Sequence, residues 1–293
     1  EIMPSLVGSE MCIRDSSIWD GQYFYDLYEQ AYTPWEWHEE LFHVAKEEGL
    51  ICFSSPFDKT AVDMLEALDC PVYKIASFEI TDIPLIEYAA SKHKPMVLAT
   101  GIATEEDIQL AVEACRRMGN NDITVLKCTS SYPAPVEEAN LCMIRDLAER
   151  FQVKSGLSDH TLGSVSPIVA VTQGASMIEK HFILNRSIGG PDCSFSMEEK
   201  DFAQMVKDVR MAELSLGKTT YELTEKMRGS RSASRSLYVA EDMKAGEVIT
   251  ERNVRSVRPG FGLHPKYLKD ILGKNVNRDL EKGTRFALEY VNG

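Results

Sequence analysis

The strongest constraint on the fold is a regular alternation of short apolar segments with amphipathic helical patterns between residues 32 and 217. The apolar segments start near residues 51, 72, 96, 123, 154 and 177, and a helical pattern follows each of them. Strand-helix alternation at this spacing is typical of βαβ units, which build a parallel sheet. We therefore predict six parallel strands joined by helices.

Polar residues collect at the carboxyl end of each predicted strand. They are Ser54, Ser55, Ser77, Glu79, Thr100, Thr129, Ser130, Ser131, Ser158, His160, Glu179 and His181. Barrels and doubly wound sheets both bind ligands at this end of their strands. No G-x-G-x-x-G sequence follows the first predicted strand. We therefore favour a (β/α)8 TIM barrel over a doubly wound sheet.

The chain divides into four predicted segments. Residues 1–16 show neither helical nor strand periodicity, and we expect an unrelated or disordered leader. Residues 17–218 form the predicted barrel domain, and residues 219–233 form a polar linker. Residues 234–293 have short β-type segments separated by turns. They predict a small β domain, which is marginally stable by itself because of its size.

Composition excludes several classes of protein. The net charge is −13, which argues against a nucleic-acid-binding protein and means that an anionic ligand needs local positive groups. The number of cysteines, seven, is odd, and no two are spaced as C-x-x-C, so we predict neither a zinc knuckle nor a disulfide framework. Free cysteines of this kind are typical of a protein in the reducing cytoplasm. No apolar run approaches the roughly 18 residues of a membrane span, and no signal-peptide pattern opens the chain.

Two histidines are candidate metal ligands. His160 and His181 end two successive predicted strands. Neighbouring strands lie about 4.8 Å apart, so both rings can meet one divalent cation such as Mn²⁺, Mg²⁺ or Co²⁺. The alternative is that they are two unrelated polar residues at strand ends. Spacing by itself does not decide between these readings.

Four further residues have two readings each. Lys74 lies inside an apolar strand, where it either meets an anion or pairs with an acid such as Glu79. Glu79 is either a general acid or base, or a local cap or ion-pair partner. Asp192 lies in a polar loop that either holds a ligand or is plain turn chemistry. Arg258 either reaches a neighbouring site or belongs to a surface turn.

Eight ordered motifs resemble the sialic acid synthase family. They are FSSPFD (53–58), YKIASFE (73–79), LATG (98–101), LKCTSSYPAP (126–135), GLSDHT (156–161), EKHF (179–182), GGPDCSFSM (189–197) and VRPGFGLHP (257–265). Two more segments, AYTPWEWH (31–38) and TYELTEKMRGSRSASRSLYV (220–239), resemble its pseudaminic acid synthase branch. The resemblance covers about residues 17–293.

The resemblance implies a fold and a reaction. The fold is a TIM barrel followed by an antifreeze-like (SAF) domain, assembled as a domain-swapped homodimer. The reaction condenses phosphoenolpyruvate with an N-acylated amino sugar, which in this branch is 2,4-diacetamido-2,4,6-trideoxy-L-altrose. It gives a nine-carbon acid and phosphate, for carbohydrate biosynthesis such as flagellin glycosylation. The alternatives are an N-acetylneuraminate or legionaminate synthase, and a non-catalytic carbohydrate-binding protein.

The resemblance also implies roles for individual residues. His160 and His181 match the family's metal ligands. Ser55, Lys74 and Ser77 match positions around phosphoenolpyruvate, and Glu79 matches an acidic residue near the reacting carbons. Tyr132, Ser158 and Asp192 match positions around the sugar and a metal-bound water. Arg258 matches the residue that reaches across the dimer to an acyl group of the sugar. Ser130 stands where the sialic acid branch has Asn, which favours a different sugar.

One departure from the family pattern concerns the start of the barrel. The family's first two strands, with an acidic residue and a Lys and Gln, lie upstream of a segment that resembles residues 27–35. Residues 1–16 match nothing there, and residues 17–218 are shorter than the roughly 250 residues of a typical barrel. We expect the first two strands to be missing, sheet edges to be exposed, and this chain to be inactive or very weak.

Overall fold

The computed structural model describes Gly21 and residues 23–292, apart from the side chain of residue 24. The leader predicted over residues 1–16 lies outside the described residues. The chain divides into two compact units after Gly217. Among the helices that are described, none combines the length and the apolar character needed to cross a membrane.

The first unit alternates helices with strands. Its helices are α1 (Phe24–Ala31), α2 (His38–Glu47), α3 (Lys59–Ala67), α4 (Ile83–Ala90), α5 (Glu105–Arg117), α6 (Met143–Phe151), α7 (Val165–Thr172) and α8 (Glu199–Leu216). Its strands are β1 (Tyr73–Ile75), β2 (Met96–Ala99), β3 (Ile123–Cys128), β4 (Lys154–Asp159) and β5 (Ile178–Lys180).

The described strands of this unit form one parallel sheet in the order β1-β2-β3-β4-β5. A doubly wound sheet requires a reversal of strand order, and this sheet has none. Right-handed crossovers in one direction place the connecting helices on one side of the sheet, as in a barrel. The predicted barrel-type α/β architecture is confirmed.

The strand predicted near residue 51 is wrong. Only Ser54 pairs there, as a single parallel bridge to Tyr73. Leu50 and Ile51 are 67% and 76% exposed, so the start of this apolar run is not buried against the sheet. Pro56 follows closely and has no N–H for a ladder. The described sheet therefore has five strands.

Helix starts follow local capping chemistry. The Asp58 carboxylate accepts a hydrogen bond from the backbone N–H of Ala61 at 2.8 Å, at the start of α3. Thr104 and Asp107 form a reciprocal capping box at the start of α5. These contacts satisfy N–H groups that have no partner within the helix. They set where each helix begins relative to the preceding strand end.

The main core lies between the sheet and its helices. Every residue of β2 is buried, as expected for a parallel strand covered on both faces. Val62 and Leu65 of α3 pack in the same cluster as Tyr73 and Ile75 of β1. This packing holds the strands rigidly, so the polar residues at their carboxyl ends are presented from a fixed frame.

The second unit begins with α9 (Glu225–Arg231), which lies inside the segment predicted as a linker. Strands β6 (Ser236–Val239) and β7 (Val254–Val257) pair antiparallel, and α10 (Leu268–Ile271) follows. Leu237, Val254 and Phe286 belong to a separate apolar cluster. The predicted small β domain is confirmed.

Candidate active site

Three polar side chains meet inside the curve of the sheet. The Ser158 hydroxyl, on β4, donates a hydrogen bond to Glu179 Oε1 on β5 at 2.6 Å. Lys74 Nζ, on β1, lies 3.3 Å from the same oxygen. Strands β1 and β5 are not neighbours in the sheet. Their side chains meet because the sheet curls, which brings its two ends to face each other.

The ion-pair partner of Lys74 is therefore Glu179, and not Glu79 as the sequence suggested. The Lys74 side chain is 16% exposed and that of Glu179 is 32% exposed. A partly exposed ammonium keeps donors available to a second acceptor. Both earlier readings of Lys74 are compatible with this geometry, since the cation is paired and still reachable by an anion.

A cavity of about 570 Å³ opens beside this ion pair. Its lining includes Ser54, Ser55, Lys74 and Glu179, together with Tyr28. The sequence-predicted residues Ser55 and Lys74 thus share one cavity. A cavity of this size suits a small-molecule ligand, and the Lys74 ammonium is the positive group on its wall.

The two candidate metal ligands lie side by side, with the ring centroids of His160 and His181 5.2 Å apart. His160 Nδ1 lies 2.8 Å from the carbonyl oxygen of Thr129. Since a carbonyl only accepts, Nδ1 donates and the lone pair of the neutral ring is on Nε2. His181 Nδ1 lies 3.4 Å from Asp192 Oδ2. Such outer partners orient histidines that bind metals.

Two aromatic residues enclose these histidines. The ring centroid of Tyr132 lies 4.3 Å from that of His160 and 5.8 Å from that of His181. Phe195 lies 5.0 Å from His181. Burial raises the pKa of the Tyr132 hydroxyl, and the nearby Cys128, Asp192 and Glu179 raise it further. Tyr132 therefore stays protonated and can donate a hydrogen bond to a ligand.

Ser77 and Ser130 meet around Gly101. The backbone N–H of Gly101 donates to the Ser77 hydroxyl at 3.1 Å. The Ser130 hydroxyl is buried and has no hydrogen-bond partner among the described residues. A Cβ at position 101 would collide with the Ser130 hydroxyl and lie 2.8 Å from that of Ser77. Glycine is thus required for the close approach of the two hydroxyls.

Gly101→Ala is expected to displace both serine hydroxyls and to lower kcat/KM by about 10-fold, the effect of losing one or two neutral hydrogen bonds. Gly229→Ala is the matched control, because a Cβ there meets nothing within 4 Å. Steady-state kinetics and thermal unfolding of both variants check this. Equal kcat/KM for the two variants would contradict the role of Gly101.

Glu79 lies at the end of the short 3₁₀ turn Ser77–Glu79 that follows β1. Its Oε2 is buried and accepts no hydrogen bond from the described part of the chain. Burial raises the pKa of this carboxyl, while nearby Lys74 opposes the increase. The cap of α4 is Asp82, so the capping role considered for Glu79 is not found. A buried carboxyl with a raised pKa suits a proton-transfer group.

Arg258 belongs to the second unit, where it directly follows β7. Sequence reasoning named Glu179 as a strand-end residue but did not assign it a site role. Its signal was its position on β5 two residues before His181, since side chains two positions apart in extended chain point the same way.

A family model described as the NeuB family matches residues 7–221, which is most of the chain. The chain belongs to the NeuB family. A second model, the SAF domain, matches residues 234–285. These matches confirm the resemblance to the sialic acid synthase family and to its antifreeze-like domain.

Named relatives agree with the branch indicated by the motifs. A pseudaminic acid synthase of Helicobacter pylori is 49% identical over 280 residues, which cover 95% of this chain and 82% of the relative. One from Campylobacter jejuni is 46% identical over 271 residues, covering 92% of this chain and 79% of the relative. The crystal structure of an N-acetylneuraminic acid synthetase from Leptospira borgpetersenii has a TM-score of 0.66 and 30% identity, and the match covers 70% of this chain and 72% of that one.

The residues fit a divalent metal with two protein ligands. Two imidazoles with orienting partners supply suitable nitrogen donors, and Asp192 can hold a metal-bound water. In the described part of the chain, no group of three or more His, Cys, Asp or Glu side chains could hold an ion.

Proposed function

We propose that this chain is a pseudaminic acid synthase. It would condense phosphoenolpyruvate with 2,4-diacetamido-2,4,6-trideoxy-L-altrose to a nine-carbon acid and release phosphate. The observation that supports this best is the convergence of Lys74, Glu179 and the His160–His181 pair in one curved sheet of a NeuB-family chain. The two relatives named pseudaminic acid synthase, at 49% and 46% identity, support the sugar.

Lys74, Ser55 and Ser77 would bind phosphoenolpyruvate. Lys74 supplies a local positive charge, which a chain of net charge −13 needs in order to hold a trianionic ligand. The hydroxyls of Ser77 and Ser130 lie close together at Gly101, where they can donate to an anionic or sugar oxygen. Binding at these groups would orient C3 of phosphoenolpyruvate toward the aldehyde carbon of the sugar.

His160 and His181 would hold the metal, with Mn²⁺, Mg²⁺ or Co²⁺ as the candidates. When bound, such an ion supplies Lewis acidity toward the aldehyde oxygen of the sugar. Tyr132 packs against both histidines, and Phe195 packs against His181. Tyr132, Ser158 and Asp192 would contact the sugar and a water.

Glu79 would exchange a proton with the water that adds after the carbon–carbon bond forms. Glu79→Gln is expected to lower kcat by about 100-fold or more. It is also expected to raise Tm at pH 8. The folded-state pKa of Glu79 lies above its unfolded value, so its contribution to stability is lost as pH rises through the folded pKa.

The stabilisation by Glu79→Gln should therefore shrink as pH falls toward the ordinary range of a carboxyl. Thermal unfolding of the unmodified chain and the variant between pH 4 and pH 8 measures this difference. A lower Tm for the variant at pH 8 would contradict this prediction, because it would show that the ionised Glu79 carboxylate stabilises the fold.

Arg258 would serve the active site of a second copy in a domain-swapped homodimer. Residues 218–293 contain 15 Lys and Arg against 10 Asp and Glu, whereas residues 1–217 contain 17 against 35. This opposite charge supports docking of the small unit onto an acidic barrel unit. Sedimentation at low and high salt tests the dimer, and a salt-independent monomer would overturn it.

The deciding experiment measures phosphate release from phosphoenolpyruvate with each candidate sugar, with and without a chelator. We expect turnover with the trideoxy-altrose sugar, loss of activity on chelation, and recovery with Mn²⁺. Turnover only with N-acetylmannosamine or the legionaminate precursor would instead support a neuraminate or legionaminate synthase. No turnover, with metal-independent sugar binding, would support a non-catalytic carbohydrate-binding protein.

A further inference from the structure

A buried ion pair joins the two strands that lead to the candidate metal-binding histidines. Lys180 Nζ lies 2.6 Å from Asp159 Oδ2, and the two side chains are 2% and 1% exposed. The two residues are register partners on β5 and β4. Because side chains alternate along a strand, the pair lies on the opposite side of the sheet from Ser158 and Glu179, the preceding residue on each strand.

This ion pair also fixes the backbone around His160. Lys180 Nζ donates a hydrogen bond to the carbonyl oxygen of Thr161. Asp159 Oδ1 accepts from the backbone N–H of Thr161 at 2.9 Å and from its hydroxyl at 2.8 Å. The Thr161 hydroxyl lies 2.9 Å from that of Ser166, on α7. Asp159 and Thr161, on both sides of His160, thus both contact Lys180, which precedes His181.

We propose that Asp159 and Lys180 are positioning residues, which set the separation and orientation of His160 and His181. This inference rests on the metal-dependent synthase proposed above. A buried ion pair is commonly no more stabilising than an apolar pair of similar volume. Its hydrogen bonds are directional, however. They join Lys180, which precedes His181, to Asp159 and Thr161, which flank His160.

Lys180→Met tests this inference with Co²⁺ alone as the probe, followed by its absorption spectrum. Loss of an outer partner of a metal ligand typically weakens binding by about 10–100-fold, and we expect a dissociation constant raised by that factor. Lys154→Met is the matched control. Lys154 begins the same strand β4, and its ion pair with Asp122 is exposed. The control is expected to bind Co²⁺ as the unmodified chain does.

A double variant separates positioning from stability. Asp159→Leu with Lys180→Met removes both charges, and such replacements are commonly neutral or stabilising. Positioning predicts that Tm recovers while Co²⁺ affinity stays low. Recovery of both would overturn the inference. Thr161→Val removes one hydrogen bond to Asp159 and keeps the shape, so it gives the test if the Lys180 variant does not fold. Unchanged Co²⁺ affinity in Thr161→Val would count against positioning.

A metal-free measurement keeps this inference distinguishable from the proposed function. In a histidine-labelled chain, we expect a nuclear Overhauser contact between the rings of His160 and His181, whose centroids lie 5.2 Å apart. The contact should be lost in Lys180→Met and retained in Lys154→Met. If the unmodified chain binds no Co²⁺, the metal proposal fails while this contact still tests positioning. A contact retained in Lys180→Met would overturn the inference.

Discussion

His160→Ala is expected to lower the rate of condensation by about 1000-fold and to weaken Co²⁺ binding by about 100-fold. Lewis-acid stabilisation by a bound metal is worth several kcal/mol, and about 4 kcal/mol corresponds to 1000-fold in rate. The loss of one of two protein ligands removes about 3 kcal/mol of binding free energy, which is about 100-fold in affinity. His181→Ala should behave alike, because the two rings lie in contact.

The matched control for this prediction is His43→Ala. The side chain of His43 is 68% exposed on α2, where it lies 3.4 Å from Glu47. We expect unchanged turnover and unchanged Co²⁺ affinity in this variant. Phosphate release, cobalt titration and thermal unfolding should be measured on the unmodified chain and on the His160→Ala, His181→Ala and His43→Ala variants. Retention of Co²⁺ binding by a folded His160→Ala variant would show that His160 is not a ligand of the metal.

Lys74→Met is expected to raise the KM for phosphoenolpyruvate by about 10–100-fold and to leave the KM for the sugar nearly unchanged. A hydrogen bond to a charged group contributes about 1.5–3 kcal/mol, which sets this range. The variant also leaves Glu179 without its cation, so kcat is expected to fall as well. The selective effect on one substrate distinguishes anion binding from a purely structural ion pair.

Lys94→Met provides the comparison. The Lys94 side chain is 19% exposed, close to the 16% of Lys74, and it pairs with Glu66 at 3.2 Å. Lys94 precedes β2, so it lies at the opposite end of the sheet from the proposed site. We expect both KM values to be unchanged in this variant. A lower Tm in Lys74→Met, with both KM values unchanged, would support the structural reading instead.

Much of the site was accessible from the sequence. His160 and His181, which directly follow β4 and β5, were predicted correctly as neighbours, because parallel strands end at the same edge of a sheet. The partner of Lys74 was not, because it depends on the curl that makes β1 face β5. The predicted strand near residue 51 failed for a related reason. Its apolar run met local rules for a strand but has only one bridge at the sheet edge.

The sequence by itself determined the alternation of strands and helices, the polar strand ends and the helix caps. These features depend on periodicity and on contacts between residues a few positions apart, so they are local. The tertiary structure alone decided the pairing of Lys74 with Glu179, the close approach of Ser77 and Ser130 over Gly101, and the burial of the Asp159–Lys180 pair. Each of these requires segments more than 20 residues apart to pack at fixed distances, which only the folded core provides.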